Sequence, residues 1–177
     1  MRTLVLGGIR SGKSQWAERA ITESIADGAP VHYLATGRTP DADTDWSARV
    51  AAHRERRPSH WSTVETVDVA TQLRSDTTTA TLVDDIGGWL TATMDLRGAW
   101  HGASVHTDID DLLDAVATFG APLALVSPEV GLTVVPHTES GRRFADELGM
   151  LNQGLAARCD RVVLVVAGQP MTVKEPA

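Results

Sequence analysis

This sequence has a single cysteine, no long apolar run and no excess of positive charge. Cys159 is the only cysteine, so neither a disulfide within the chain nor a thiolate metal site can form. No run approaches the roughly 18 apolar residues of a membrane-spanning helix, and the N-terminal apolar run is too short for a signal peptide. The formal net charge of -7 argues against nucleic acid and anionic membranes as partners. We therefore expect a cytoplasmic protein without membrane insertion.

The chain has the size and pattern of one compact α/β domain. Its 177 residues are 42% hydrophobic, and short β-branched runs alternate with amphipathic stretches. This alternation predicts a mostly parallel sheet with helices on both faces, in a single domain over residues 1–177. Strands are predicted over residues 3–6, 31–35, 62–67, 79–83, 123–127, 161–166 and 171–173. Helices are predicted over residues 13–26, 45–56, 69–74, 87–96, 108–119 and 140–159, with a flexible excursion over residues 97–107.

The most informative segment begins at the end of the first predicted strand. The sequence GGIRSGKS is a complete G-x-x-x-x-G-K-S phosphate loop, formed by Gly7, Gly8, Ile9, Arg10, Ser11, Gly12, Lys13 and Ser14. Glycines let the backbone wrap so that its N–H groups and the positive end of the next helix face phosphate oxygens. We expect Lys13 to lie against the outer phosphates and the Ser14 hydroxyl to coordinate Mg²⁺. The segment predicts a site for nucleotide phosphates.

A basic helix is predicted after the second strand. Over residues 45–56, Arg49, His53 and Arg56 or Arg57 fall on one helix face. A histidine between arginines can attack a phosphate while the guanidinium groups hold it. The alternative is an ordinary solvated charged helix, which the pattern taken alone favours.

Two strand ends carry further candidates. Ala35, Thr36 and Gly37 end the second strand, which we expect to lie beside the first, facing the ligand crevice. A predicted apolar strand is followed directly by two acidic residues, Asp84 and Asp85. In phosphate-loop enzymes a carboxylate at the end of a strand helps to hold Mg²⁺. Asp84 is the stronger metal candidate, whereas Asp85 is equally well explained as the cap of the next helix.

Together these segments resemble the bifunctional adenosylcobinamide kinase and adenosylcobinamide-phosphate guanylyltransferase family of cobalamin biosynthesis. The resemblance runs nearly end to end. Its matching segments are residues 6–14, 33–36, 49–58, 61–65, 82–84, 129–136, 151–153 and 165–168. The form GGxRSGKS and the segment from Glu129 to Pro136 are far more specific than a bare phosphate loop. The chain departs from the family pattern at Pro128 and Asp85, so we expect details of cobinamide recognition to differ.

The resemblance also implies a fold and a set of site residues. It implies a RecA-like phosphate-loop α/β domain that forms homo-oligomers, trimers in the known type. In this family a histidine is guanylylated by GTP, and the matching residue is His53. By pattern alone Glu65 is a strand residue facing water, but the resemblance makes it a nucleotide contact. The full set implied to contact nucleotide or its metal, beyond the phosphate loop, is Ala35, Thr36, Gly37, Arg54, Glu55, Arg56, Arg57, Glu65 and Asp84.

Two reactions follow as expectations. In the first, the hydroxyl of adenosylcobinamide attacks the γ-phosphate of ATP or GTP, with Lys13 and Mg²⁺ offsetting the charge that develops. In the second, His53 attacks the α-phosphate of GTP and passes GMP to adenosylcobinamide phosphate, giving adenosylcobinamide-GDP. Two alternatives stay open: a single-function small-molecule kinase in which His53 is a bystander, and a non-catalytic GTP-binding switch.

Overall fold

A computed structural model describes residues 1–37 and 58–176. Seven strands lie in these ranges: β1 (Arg2–Gly7), β2 (Val31–Ala35), β3 (Trp61–Glu65), β4 (Ala80–Asp84), β5 (Leu123–Pro128), β6 (Arg161–Val166) and β7 (Gln169–Lys174). Five α-helices accompany them: α1 (Lys13–Glu23), α2 (Val69–Ser75), α3 (Ile86–Arg97), α4 (His106–Thr118) and α5 (Glu139–Arg158). The helix predicted over residues 45–56 lies outside the described residues.

The strands form one sheet in the order β3-β2-β4-β5-β1-β6-β7. Every neighbouring pair is parallel except β6 and β7, which are antiparallel. The predicted mostly parallel sheet is therefore confirmed. The prediction that β2 lies beside β1 is wrong, because β4 and β5 are inserted between them. Strands that are consecutive in sequence need not be neighbours in the sheet when helical crossovers connect them.

Helices cover both faces of the sheet because alternate strand residues point to opposite sides. Leu4 faces a core built with α2, α3, α4 and α5, in which Leu90, Leu112 and Leu148 are fully buried. Val5 faces a second core on the other side, against Trp16 and its neighbours on α1. No helix within residues 1–37 and 58–176 has both the length and the apolar character for crossing a membrane.

Two segments differ from the sequence-based expectation. The predicted excursion over residues 97–107 contains a 3-10 turn, Ala99–His101, and the first residues of α4. The last predicted strand is longer than expected, because Ala167 and Gly168 form a tight turn that pairs β7 with β6. Both turn residues have positive φ, 50° and 77°, which matches the right-handed twist of the strands that the turn joins.

Candidate nucleotide site

The phosphate loop is built at the carboxyl end of β1, a central strand of the sheet. Gly7 is buried, and a Cβ there would lie 2.4 Å from the Ser11 Oγ and 2.8 Å from the Val165 carbonyl oxygen. Gly12 has φ 91°, in the region that glycine adopts without strain. Both glycines are therefore required by the path of the chain, the first by close approach and the second by conformation.

Hydrogen bonds hold this loop from within and from the neighbouring turn. The Ser11 N–H donates to the Gly8 carbonyl at 3.3 Å, and the Gly168 N–H donates to the Ser11 carbonyl at 2.8 Å. The Lys13 ammonium reaches back across the loop to the Gly8 carbonyl at 3.3 Å. Gly8, Ile9 and Arg10 remain exposed at the crest. The arrangement places the Lys13 charge and the first N–H groups of α1 at one spot, as anion binding requires.

Asp84 meets the phosphate loop across the sheet. The Ser14 Oγ donates to the Asp84 Oδ1 at 3.3 Å, so the two predicted metal ligands lie together. The Tyr33 hydroxyl donates to the other oxygen, Oδ2, at 2.5 Å. Tyr33 is buried on β2 and packs near Trp61, with 6.4 Å between the ring centroids. The sequence predicted no role for Tyr33. In the structure its hydroxyl orients the Asp84 carboxylate beside the phosphate loop.

Asp85 acts as a helix cap. Its carboxylate accepts a hydrogen bond from the Gly88 N–H at 2.6 Å, at the start of α3. Burial raises the pKa of Asp85, and the neighbouring Asp84 carboxylate raises it further. The backbone carbonyl of Asp85 accepts the Thr36 hydroxyl at 2.5 Å. Thr36, only 1% exposed, therefore ties the end of β2 to the end of β4 through its side chain.

The end of β5 lies between the phosphate loop and Asp84. The Glu129 N–H donates to the Gly7 carbonyl at 3.1 Å, which joins the segment after β5 to the start of the loop. Asn152 on α5 stabilises this strand end with two hydrogen bonds. Its side-chain N–H donates to the Pro128 carbonyl at 3.0 Å, and its side-chain oxygen accepts a hydrogen bond from the Ser127 hydroxyl at 2.6 Å. Pro128, where we expect a departure from the family pattern, therefore lies at a strand end that hydrogen bonds hold in place.

The remaining predicted site residues are more widely spread. Ala35 and the exposed Gly37 lie at the end of β2, and the exposed Glu65 ends the edge strand β3. At about 4.8 Å per strand, the end of β2 is roughly 14 Å and the end of β3 roughly 19 Å from the end of β1. His53, Arg54, Glu55, Arg56 and Arg57 lie outside the described residues.

This combination defines the class of protein. A phosphate loop between β1 and α1, with an acidic end on β4, which only β5 separates from β1, characterises a phosphate-loop nucleotide-binding α/β domain. The fold is similar to that of a solved structure, a prototypical ATPase from the type III secretion system of pathogenic bacteria. The TM-score is 0.57 at 12% sequence identity, covering 92% of this chain and 50% of that one. The RecA-like fold class predicted from the resemblance is therefore confirmed.

The family is shown by sequence comparison. The family described as cobinamide kinase / cobinamide phosphate guanyltransferase matches residues 3–173. The bifunctional adenosylcobalamin biosynthesis protein CobP of Pseudomonas aeruginosa is 42% identical over 177 residues, covering 98% of both chains. The CobU protein of the same description from Salmonella typhimurium is 35% identical over 190 residues, covering 98% of this chain and 100% of that one. The chain belongs to the cobinamide kinase / cobinamide phosphate guanyltransferase family.

Proposed function

We propose that this enzyme catalyses both reactions for which its family is described. It phosphorylates adenosylcobinamide and then transfers GMP from GTP to adenosylcobinamide phosphate. The observation that carries the proposal is the family match over residues 3–173, in a chain whose phosphate loop adjoins Asp84 through Ser14. Family membership disfavours a non-catalytic switch. We also propose a cytoplasmic homo-oligomer, a trimer, which light scattering of the purified protein tests.

In the kinase reaction the chain supplies charge and position. The Lys13 ammonium faces the phosphates and offsets charge that develops on the transferred group. Ser14 and Asp84 offer two oxygen ligands, 3.3 Å apart, a donor set that suits Mg²⁺ completed by nucleotide oxygens and water. A bound Mg²⁺ would neutralise phosphate charge there. The substrate hydroxyl forms the new O–P bond as the bond from the γ-phosphorus to its bridging oxygen breaks, releasing the nucleoside diphosphate and a proton.

In the transferase reaction His53 carries the nucleotide. A ring nitrogen of His53 bonds to the α-phosphorus of GTP while pyrophosphate leaves with the bridging oxygen. A phosphate oxygen of adenosylcobinamide phosphate then attacks the same phosphorus, the P–N bond breaks, and His53 is regenerated. Dividing the displacement in this way replaces one difficult step by two easier ones. Arg54, Arg56 and Arg57 follow His53 closely in sequence and are proposed to hold the phosphates.

Radiolabel transfer tests the covalent step. The protein is incubated with Mg²⁺ and GTP labelled at the α-phosphate or, separately, at the γ-phosphate. We expect acid-labile, base-stable label from the α position only. His53→Ala should abolish it, whereas His101→Ala, a change at an exposed histidine on the 3-10 turn, should retain it. Absence of label from wild-type protein that is shown to bind GTP, or its persistence in His53→Ala, would overturn the mechanism.

A further inference from the structure

An exposed aliphatic segment follows β5, the strand whose end adjoins the phosphate loop. In the segment after β5, Leu132 is 77% exposed, Val134 85% and Val135 68%. Ile9, at the crest of the phosphate loop, is 90% exposed. Single exposed aliphatic residues are ordinary, but three within four residues beside a ligand site indicate a binding surface. We call residues 129–136, with these three side chains, the β5 loop.

The β5 loop is held in shape by its own hydrogen bonds. The Glu129 carboxylate accepts the Gly131 N–H at 2.5 Å, and the Thr133 hydroxyl donates to the Val130 carbonyl at 3.1 Å. Arg142 on α5 closes the far end by donating to the Pro136 carbonyl at 3.2 Å and the His137 carbonyl at 2.8 Å. These hydrogen bonds fix the main chain of the loop, whose aliphatic side chains are exposed to water. A surface that is preformed in this way lowers the entropic cost of binding.

The position of the loop relates it to the reacting phosphate. β5 lies between β1, which carries the phosphate loop, and β4, which carries Asp84. The main-chain bond from Glu129 to the Gly7 carbonyl fixes the base of the β5 loop against the phosphate loop. The base of the β5 loop therefore adjoins the phosphate loop, and we expect a ligand of the β5 loop to lie on this side of the site.

We propose that the β5 loop is the surface on which the corrinoid substrate docks. The inference rests on the proposed function, because it assigns a place to that function's substrate. Adenosylcobinamide is a large macrocycle bearing methyl groups and amide arms, and its reacting hydroxyl sits on a short arm. That hydroxyl must reach the phosphate loop, so the macrocycle must lie within one arm's length of it. Leu132, Val134 and Val135 contact the methyl-bearing edge.

Three other exposed aliphatic residues lie outside the β5 loop, and they provide a control. Leu96, 77% exposed, lies near the end of α3, about 15 Å along the helix axis from the strand ends. Met171 and Val173, 58% and 64% exposed, lie on the edge strand β7, beyond β6. Leu96→Asn/Met171→Thr/Val173→Thr thus removes a comparable exposed apolar area outside the β5 loop.

The test compares this control with Leu132→Asn/Val134→Thr/Val135→Thr in steady-state phosphorylation of adenosylcobinamide. The β5 loop variant should raise the KM for adenosylcobinamide about tenfold or more, because the lost contacts are apolar. The KM for ATP and the labelling of the protein by GTP without corrinoid should change less than about twofold. The control variant should match wild type in all three measurements. Since the three side chains are exposed, both variants should fold, and the single change Val134→Thr repeats the test with the least perturbation.

The alternative occupant is a second copy of this chain. In that case the β5 loop variant would change the mass measured by light scattering and leave the KM for adenosylcobinamide unchanged, which would overturn the inference. An equal rise in KM for the control variant would also overturn it, because the effect would then be nonspecific. If wild type fails to phosphorylate adenosylcobinamide at all, the proposed function itself fails. The inference about the β5 loop fails alone when wild type is active and the variant keeps its KM.

Discussion

Tyr33→Phe tests whether the phosphate site is shaped by a residue that is absent from the loop motif. The Tyr33 side chain is 1% exposed, and its hydroxyl donates to the Asp84 oxygen opposite the one that accepts Ser14. The substitution removes one oxygen and keeps the aromatic ring that packs near Trp61. The change therefore removes the hydrogen bond from the Tyr33 hydroxyl to the carboxylate and keeps the ring in place.

The magnitude follows from the charge of the acceptor. A hydrogen bond to a charged group contributes about 1.5 to 3 kcal/mol, more than a neutral one, and the phenylalanine offers no replacement donor. With a denaturant dependence of about 2 kcal/mol per molar urea, the unfolding midpoint should fall by roughly 1 M. Because Asp84 then loses one of the groups that fix its orientation, the Mg²⁺ concentration for half-maximal labelling by GTP should also rise several-fold.

A double-mutant cycle gives the decisive comparison. Unfolding free energies are measured by urea denaturation for wild type, Tyr33→Phe, Asp84→Ala and the double variant. If the bond exists, Tyr33→Phe should cost little once Asp84 is already alanine, giving a coupling energy of about 1 kcal/mol or more. A coupling near zero would refute the bond. A Mg²⁺ requirement that is unchanged in Tyr33→Phe would refute the positioning role even if stability falls.

Two further predictions concern Asp85 and Cys159. Asp85→Ala should lower the unfolding free energy by about 1 kcal/mol, whereas Asp85→Asn should lower it less because it keeps an oxygen for the Gly88 N–H; equal losses in urea denaturation would contradict the cap. Burial raises the pKa of the Cys159 thiol from 9.0 to about 12. As the pH rises, the thiol ionises at a lower pH in the unfolded protein than in the folded one. The stability that the buried neutral thiol contributes is therefore complete below about pH 9 and is lost as the pH rises towards 12. Urea midpoints at about pH 8 and pH 10.5 should therefore fall more in wild type than in Cys159→Ala; parallel falls would contradict it.

The phosphate loop could be predicted from sequence because its determinants are contiguous. Gly7, Gly12 and Lys13 act within one strand-loop-helix unit, and the structure shows the close approach at Gly7 and the positive φ at Gly12. The helix cap at Asp85 was likewise available as an alternative, since a cap depends on residues three positions apart. Local chemistry of this kind does not depend on how the strands are ordered.

The role of Tyr33 and the true place of β2 could not be predicted in the same way. Tyr33 reaches Asp84 only because β2 pairs with β4 in a register that sets Tyr33 opposite Leu82 and Ala35 opposite Asp84. The tyrosine then points to the face shared by Leu82 and Asp84, and its length spans the two-residue offset. Nothing in either segment specifies that register, because it is set by packing of the whole sheet.

The sheet order places the β5 loop and the ends of β2 and β3 on opposite sides of Asp84. On one side of Asp84 lie the end of β5 with the β5 loop and the end of β1 with the phosphate loop. On the other side lie the ends of β2 and β3. The proposed guanylylation of His53 needs GTP but no corrinoid, which is why a change in the β5 loop should impair the first reaction without preventing this labelling.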